Sequence, residues 1–387
     1  MKIAYIGQKG IPVINGGVER HVEELALRMA SLGHEVFVYT RPYYTPNDLV
    51  KYKGVNLISL PSIYTKHLDA ISHTLLASLH ACFQDYDIIH YQGVGPALLS
   101  FIPRLFKPKA KILVTFHCLD RKHEKWGGLA KQILKFGEWA ACNFPHQTIA
   151  VSQNIQDYCQ KTYHKKVVFL PNGVTDCSDQ QLNQRVLNLY NLEPKKYFLM
   201  VNRLIPHKNV EETIKAFVNL PRKDYKLVIV GDGFFTDEYV TQLKNLAVNY
   251  PDIVFTGNQQ GDDLKALYRN ALAYISSSKN EGLSFTLLEA LSFKLPVILK
   301  NIPENQEFFK AGVALTYEKP LELENSISEL INNQALSLAL GQSGYSYARQ
   351  NFDWSEIIKK TNDLYLKTLD QSNLENTGQE VEKFQHI

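Results

Sequence analysis

Short apolar runs alternate with amphipathic ones along the first half of the chain. IAYIG (3–7) predicts a buried strand. From Glu19 to Leu32 the apolar residues Val22, Leu25, Ala26 and Met29 recur at helical spacing, and Gly33 stops the run. EVFVYT (35–40), VNLISL (55–60), DIIHYQ (87–92), KILVTFH (111–117), TIAVS (148–152) and VVFLPNGV (167–174) predict further strands, with helical stretches between several of them. A polar stretch, residues 175–184, breaks the rhythm and reads as a linker. The alternation then restarts. Strands are expected at 197–203, 226–233, 253–257, 273–278 and 296–300, and helices at about 209–220, 236–249, 262–270 and 284–293. Helical segments at 321–333 and 336–350 end the body, 354–369 is amphipathic, and the polar tail 370–387 reads as disordered. No short-period repeat appears, which excludes a solenoid. Strands alternating with helices predict βαβ units and parallel sheets, here in two α/β domains, 1–175 and 176–353.

Composition agrees with this division. The chain has 387 residues, enough for two cores, with 45% hydrophobic and 21% charged residues, the balance of a soluble globular protein. No run of about 18 apolar residues predicts a membrane span. The opening MKIAYIGQKG lacks the regions of a signal peptide. The five cysteines, Cys82, Cys118, Cys142, Cys159 and Cys177, are scattered and form no C-x-x-C pair. That argues against a disulfide framework or structural zinc and for a reducing cytoplasm. Charge is uneven: residues 1–175 carry 20 Lys+Arg against 12 Asp+Glu, and the remainder 22 against 27. A basic first half suits an anionic partner or is simply a solubilising surface. Residues 97–111 and 121–135 mix Leu98, Leu99, Phe101, Ile102, Leu105 and Phe106 with Arg104, Lys107, Lys109, Lys111, Arg121, Lys122, Lys125, Lys131 and Lys135. They read either as a core helix with a basic end or as a surface for an anionic membrane. Nucleic acid is not expected, since no aromatic–basic platform accompanies the charge.

In parallel sheets, ligands sit beyond the carboxyl ends of the strands. Two such ends stand out. After 273–278 come Lys279, Asn280, Glu281 and Gly282, then a helix carrying Glu289. The first amides of a helix have no partner within it and form a ready site for phosphate. Glu281 in the turn could reach groups beyond such a phosphate, and Glu289 a ribose diol; the plain alternative is a loop carboxylate and a solvent-facing one. After 197–203 comes Asn202-Arg203-Leu204-Ile205-Pro206-His207-Lys208. The guanidinium of Arg203 and the ammonium of Lys208 suit two neighbouring phosphates, or are two exposed cations.

The Glu281/Glu289 spacing with LLEAL, the Arg203/Lys208 pair, Pro171-Asn172-Gly173-Val174 and the early Gly16-Gly17 turn together resemble glycosyltransferase family 4. The resemblance spans residues 1 to about 365. It implies the GT-B fold: two facing Rossmann-like domains with an inter-domain cleft, the acceptor on 1–175, the nucleotide sugar on 176–353, and the helix 354–369 packing back on the first domain. It implies a retaining glycosyltransferase of hexosyltransferase type that uses a nucleoside-diphosphate sugar and a glycan or lipid-linked acceptor. The opening Gly10-Ile11-Pro12 with Gly16-Gly17-Val18-Glu19 is similar to bacterial surface-polysaccharide members. Such an enzyme is expected in the cytoplasm, at the inner face of the cell membrane.

The family's roles fall on individual residues. Arg203 and Lys208 match the pair that neutralises the diphosphate, and Phe285 and Thr286 the amides on its distal phosphate. Glu289 matches the ribose ligand and Glu281 the carboxylate facing the transferred sugar. Gly16 and Gly17 match the turn that approaches the phosphates, His117 a histidine near sugar and acceptor, and Gly257 and Asn258 the nucleobase contact. The chain departs from the family at Asn202, where glycine is usual, at Leu283-Ser284, where Phe-Gly is usual, and at Cys118 after the histidine; Ser284 is a candidate helix cap. Gly7, Gly10 and Gly16 do not spell the dinucleotide fingerprint, and the histidines, His117 and His123 among them, show no H-x-x-x-H pair. No metal or other cofactor is expected, since no D-x-D motif is read in the chain and Arg203 and Lys208 would supply the positive charge. An epimerase on the same scaffold, or a sugar-nucleotide-binding protein without activity, are the alternatives.

Overall fold

The computed structural model describes the chain except residues 66–67, 123–126, 177–183, 221–223, 234–235 and 385–387. His123, Lys125, Cys177 and most of the expected linker therefore lie outside the described residues, as does the side chain of Lys122. The chain divides into two compact units, Met1–Asn172 with Ser355–Ile387, and Gly173–Trp354.

The first unit is built on eight strands: β1 (Lys2–Ile6), β2 (Glu35–Thr40), β3 (Lys51–Tyr52), β4 (Val55–Ser59), β5 (Ile88–Gln92), β6 (Lys111–Phe116), β7 (Gln147–Ala150) and β8 (Val168–Phe169). Their order is β3-β4-β2-β1-β5-β6-β7-β8. All pairings are parallel except β3 with β4. Every residue of β5 and β6 is buried, as expected of central parallel strands covered on both faces. The polar residues among them are satisfied within the core: His90 bonds Thr115 Oγ1 at 2.7 Å and Tyr365 Oη at 2.7 Å. Tyr365 belongs to the last helix, Trp354–Phe384, whose Asn362 also bonds His34 at 2.7 Å. That helix runs beyond residue 369, through the polar stretch whose composition suggested disorder; no proline interrupts the stretch and its Glu, Gln and Lys residues are good helix formers.

The second unit holds β9 (Tyr197–Val201), β10 (Lys226–Val230), β11 (Ile253–Gly257), β12 (Ala273–Ser276), β13 (Val297–Lys300) and β14 (Leu315–Tyr317), all parallel, in the order β11-β10-β9-β12-β13-β14. Its core joins Phe198, Met200, Leu227, Ile229, Ile275 and Ile298 from the strands to Ile214, Phe217 and Ile327 from covering helices. β3 and β14 are absent from the sequence pattern. β3 has two residues ahead of a turn at Lys53 and Gly54, and β14 has three on a sheet edge, too few to show a period.

The division falls at Asn172/Gly173 rather than at 175/176. Val174 already belongs to the second unit, its amide donating to Phe352 O at 2.7 Å. Gly173 lies so close to Trp354 that a Cβ would come within 2.4 Å of the indole. Among the described residues no helix is long and apolar enough to cross a membrane.

Candidate functional site

In the second unit the chain leaves β9 for β10 and β11 on one side and returns to β12, β13 and β14 on the other. The topological switch therefore lies between β9 and β12, where open parallel sheets bind ligands beyond the strand ends. Arg203 and Lys208 follow β9, and Glu281 follows β12. The two loops are stitched together. Lys279 N donates to His207 O at 2.9 Å, and Ser277 Oγ shares its contacts with Lys208 O and Asn209 O, both at 2.9 Å. Asn209 makes the turn in the left-handed region, φ 55°, and the helix Val210–Asn219 begins after it. The result is an ion pair between Lys208 and Glu281, whose side chains are 13% and 14% exposed. Arg203 is exposed.

Ser284 caps the helix Phe285–Ser292, its hydroxyl accepting from Leu287 N at 3.4 Å. The amides of Phe285 and Thr286, ahead of the first intrahelical bond, have no partner within the helix. The first turn is fixed from the sheet side: Tyr274 Oη meets Thr286 Oγ1 at 2.9 Å, and Tyr268 Oη donates to Thr286 O at 3.2 Å. Phe285 stacks on Trp354, ring centroids 6.4 Å apart. Glu289 is half-buried one turn on. Gly257 ends β11 with φ 67°, open space where a Cβ would stand, and exposed Asn258 follows.

In the first unit the switch lies between β1 and β5. Gly16 caps the helix Gly17–Ser31 with φ 107°, and a Cβ there would meet the Glu19 carboxylate at 1.9 Å. The loop before it is held by side chains: Glu19 accepts from Lys9 N at 3.1 Å, Glu23 from Val13 N at 2.6 Å, and Tyr44 Oη from Ile14 N and Asn15 N at 2.8 and 3.0 Å. His117 follows β6, 9% exposed, with Nε2 2.9 Å from Gln92 Oε1. An amide oxygen only accepts, so the proton is on Nε2 and Nδ1 keeps its lone pair. His21 packs edge-on against His117, centroids 4.9 Å apart, and bonds Asn172 Oδ1 at 3.0 Å. Burial holds the His117 imidazole well below its ordinary pKa, with His21 and His90 adding to the effect. It is neutral at working pH, a hydrogen-bonding group rather than an acid.

Asp85-Tyr86-Asp87 spells the one D-x-D triplet of the chain, a pattern the expectation of metal independence passed over. It precedes β5, at the amino end of the sheet; Asp87 accepts from Lys2 N at 2.7 Å and Asp85 pairs with Lys107 at 3.4 Å. Neither carboxylate is at the strand ends where the other candidates gather.

Residues 15–176 match the model of Glycosyltransferase Family 4, and residues 188–347 that of Glycosyl transferases group 1. The chain is a glycosyltransferase that carries both of these family domains. An uncharacterized glycosyltransferase of Methanocaldococcus jannaschii is 24% identical to this transferase over 367 residues, 90% of this chain and 94% of its own. The O-antigen chain mannosyltransferase of Salmonella typhimurium is 26% identical over 211 residues, 53% of this chain and 56% of its own. The structure of Anabaena HepE in complex with UDP and glucose matches with a TM-score of 0.79 at 17% identity, covering 95% of this chain and 100% of that one. The fold is GT-B.

Three groups at the transferase's strand ends escaped the sequence reading. Gly231 follows β10 with φ 127°; a Cβ there would lie 1.9 Å from Asn202 O, and its amide donates to Gly257 O at 2.9 Å. The V-G-D-G run that ends this strand was the available signal. Asn280 is 6% exposed, and neither its amide oxygen nor its nitrogen has a hydrogen-bond partner among the described residues. Gln92 orients His117 and carried no signal, because it reads as the last residue of a strand.

Proposed function

We propose that the transferase moves a sugar from a nucleoside-diphosphate donor to a glycan or lipid-linked acceptor, with retention of anomeric configuration, in building a cell-surface polysaccharide. The observation that carries the donor half is the Lys208–Glu281 pair beside the capped helix start at the switch of the second sheet. The diphosphate would take the amides of Phe285 and Thr286 and the charges of Lys208 and Arg203. Those charges stabilise the leaving diphosphate in the role a metal ion would otherwise fill. Glu289 would hold the ribose and Glu281 the hydroxyls of the transferred sugar, with Gly257 and Asn258 beside the nucleobase. Neutral His117, its Nε2 proton committed to Gln92, would accept a sugar hydroxyl at Nδ1. Attack from the face that the diphosphate leaves accounts for retention, the acceptor proton passing to a donor phosphate oxygen. HepE with UDP and glucose supports the nucleotide class, and the mannosyltransferase relative supports the polysaccharide role. A peripheral position at the inner face of the cell membrane would suit a lipid-linked acceptor.

The test is a melting panel with UDP, GDP, dTDP and ADP, followed by turnover of the matching sugar nucleotide and anomeric analysis of the product by NMR. One nucleotide raises the melting temperature through mass action, and the product keeps the donor's anomeric configuration. A panel with no shift removes the donor assignment; an inverted product removes the retaining mechanism.

A further inference from the structure

The helix Gly128–Asn143 is inverted relative to an ordinary surface helix. Its inward face is made of Gly137, Glu138, Ala140 and Ala141, all buried. Gly137 sits where a Cβ would come within 2.5 Å of Val94 O, so the helix lies close on the chain beneath it. Its large apolar residues point the other way: Leu129, Ile133, Phe136 and Trp139 are 79%, 50%, 54% and 41% exposed. Their spacings of four, three and three place them along one face. The ridge continues onto a neighbouring helix through ring contacts. Phe136 stacks on Trp139 at 5.3 Å, Trp139 meets Phe144 at 5.4 Å, and Phe144 meets Phe101 at 5.8 Å. Phe101 opens the helix Phe101–Phe106, where Leu105 and Phe106 are 68% and 70% exposed. Contiguous exposed apolar surface of this kind marks a contact with something other than water.

Charge says what that is. Arg104, Lys109, Lys131 and Lys135 are exposed on or beside the two helices. The helix Phe101–Phe106 has no acidic residue, and the single acid of Gly128–Asn143, Glu138, is fully buried. Glu138 is held by Arg121 Nε at 2.9 Å and by the hydroxyls of Tyr158 and Tyr163 at 2.7 and 2.9 Å. Asp85, exposed nearby, pairs with Lys107. An apolar ridge bordered by cations that have no acidic partner among the described residues complements an anionic lipid bilayer, its apolar side chains at the acyl boundary and its cations among the headgroups. A second copy docked through the same patch would bring like charges together. We infer that the ridge formed by Leu105, Phe106, Leu129, Ile133, Phe136 and Trp139 rests on an anionic membrane surface. This deepens the transfer reading and rests on it for its purpose: the ridge helix follows β6 and His117 in the acceptor unit, so a lipid-linked acceptor would be presented from the same surface.

The experiment sediments the full chain with vesicles of phosphatidylglycerol mixed with phosphatidylcholine, and with phosphatidylcholine alone. The wild type binds the anionic vesicles about tenfold or more tightly than the neutral ones, and high salt weakens the binding. The double variant Leu105→Ser/Phe136→Ser loses about tenfold or more in affinity. So does Lys131→Glu/Lys135→Glu, which changes only solvated polar positions and guards against a folding defect in the first. Absence of wild-type binding, equal binding to both vesicles, or undiminished binding by both variants overturns the inference. So does a concentration-dependent dimer that Leu105→Ser/Phe136→Ser abolishes, which would assign the ridge to a second copy. The nucleotide melting panel on the wild type separates the two readings: vesicle binding without any nucleotide shift leaves the ridge standing and removes the donor assignment.

Discussion

Lys208 and Glu281 meet as an ion pair in which neither side chain is more than 14% exposed. An ammonium so placed has lost much of its water and gains from any additional negative charge that reaches it. If it stabilises the leaving diphosphate, Lys208→Ala lowers kcat by about a hundredfold or more, with kcat/KM falling alongside, as steady-state kinetics with the identified donor would show. An unchanged kcat with a raised KM would limit Lys208 to uniform binding. Glu281 and Lys208 were both visible as candidates in the sequence, but their direct contact was not. It depends on the bonds from Ser277 and Lys279 that draw two loops, some seventy residues apart, onto each other. His117 shows the same limit. Its candidacy came from the family resemblance, while its neutrality and tautomer come from burial, from His21 and from Gln92. Gln92→Glu puts a carboxylate against Nε2, so the His117 pKa rises toward the ordinary range, a change that a histidine-resolved NMR titration reads directly. No movement of that resonance would mean that Gln92 does not set the state of the ring.

Strand ends were the most readable elements, because fully buried parallel strands are apolar runs and their last residues mark where ligands bind. β9 to β13 were expected close to where they lie, and so was the helix Phe285–Ser292, its start marked by Ser284. The short edge strands β3 and β14 were not readable, nor was the continuation of the last helix to Phe384, since polar composition alone does not separate a solvated helix from a disordered tail. The basic, apolar segments left two readings open. In the structure the large residues of Gly128–Asn143 face outward and the small ones form its inner face, while Ile102 of the earlier segment is buried. Gly231 gives the test that belongs to elements. Its positive φ and the 1.9 Å approach of a Cβ to Asn202 O mean that Gly231→Ala must move the loop after β10, the loop after β9, or both. The expected loss is about 1–3 kcal/mol in chemical denaturation, with a larger nucleotide KM because Arg203 moves with Asn202. Wild-type stability and KM in the alanine variant would show that the two loops are not coupled.

The two units respond oppositely to acid. Burial holds His21 and His73 at about 4 and His90 at about 3, and all three belong to the first unit. Folded, they stay neutral; in the unfolded chain they take up protons near the ordinary value of 6.5. Their contribution to stability is therefore complete above about pH 6.5 and is lost as pH falls toward 4 and then 3. In the second unit burial pushes Glu307 up to about 7, against an ordinary 4.5. The folded unit there binds a proton more readily than the unfolded chain. Its contribution is present in full below about 4.5 and is lost as pH rises through 7. Between pH 7 and 4.5, acidification thus weakens the sheet that carries His117 while it relieves the second unit of one half-buried carboxylate. Hydrogen exchange measured peptide by peptide across this window, corrected for the intrinsic pH dependence of exchange, should show protection falling first in β1, β5 and β6 while β9 and β12 hold theirs. Simultaneous loss in both sheets would mean that the chain opens as one cooperative body and that the buried histidines do not set its acid limit. Earlier loss in β9 and β12 would place that limit in the second unit, and replacing Glu307 with Gln would then leave the order of opening unchanged.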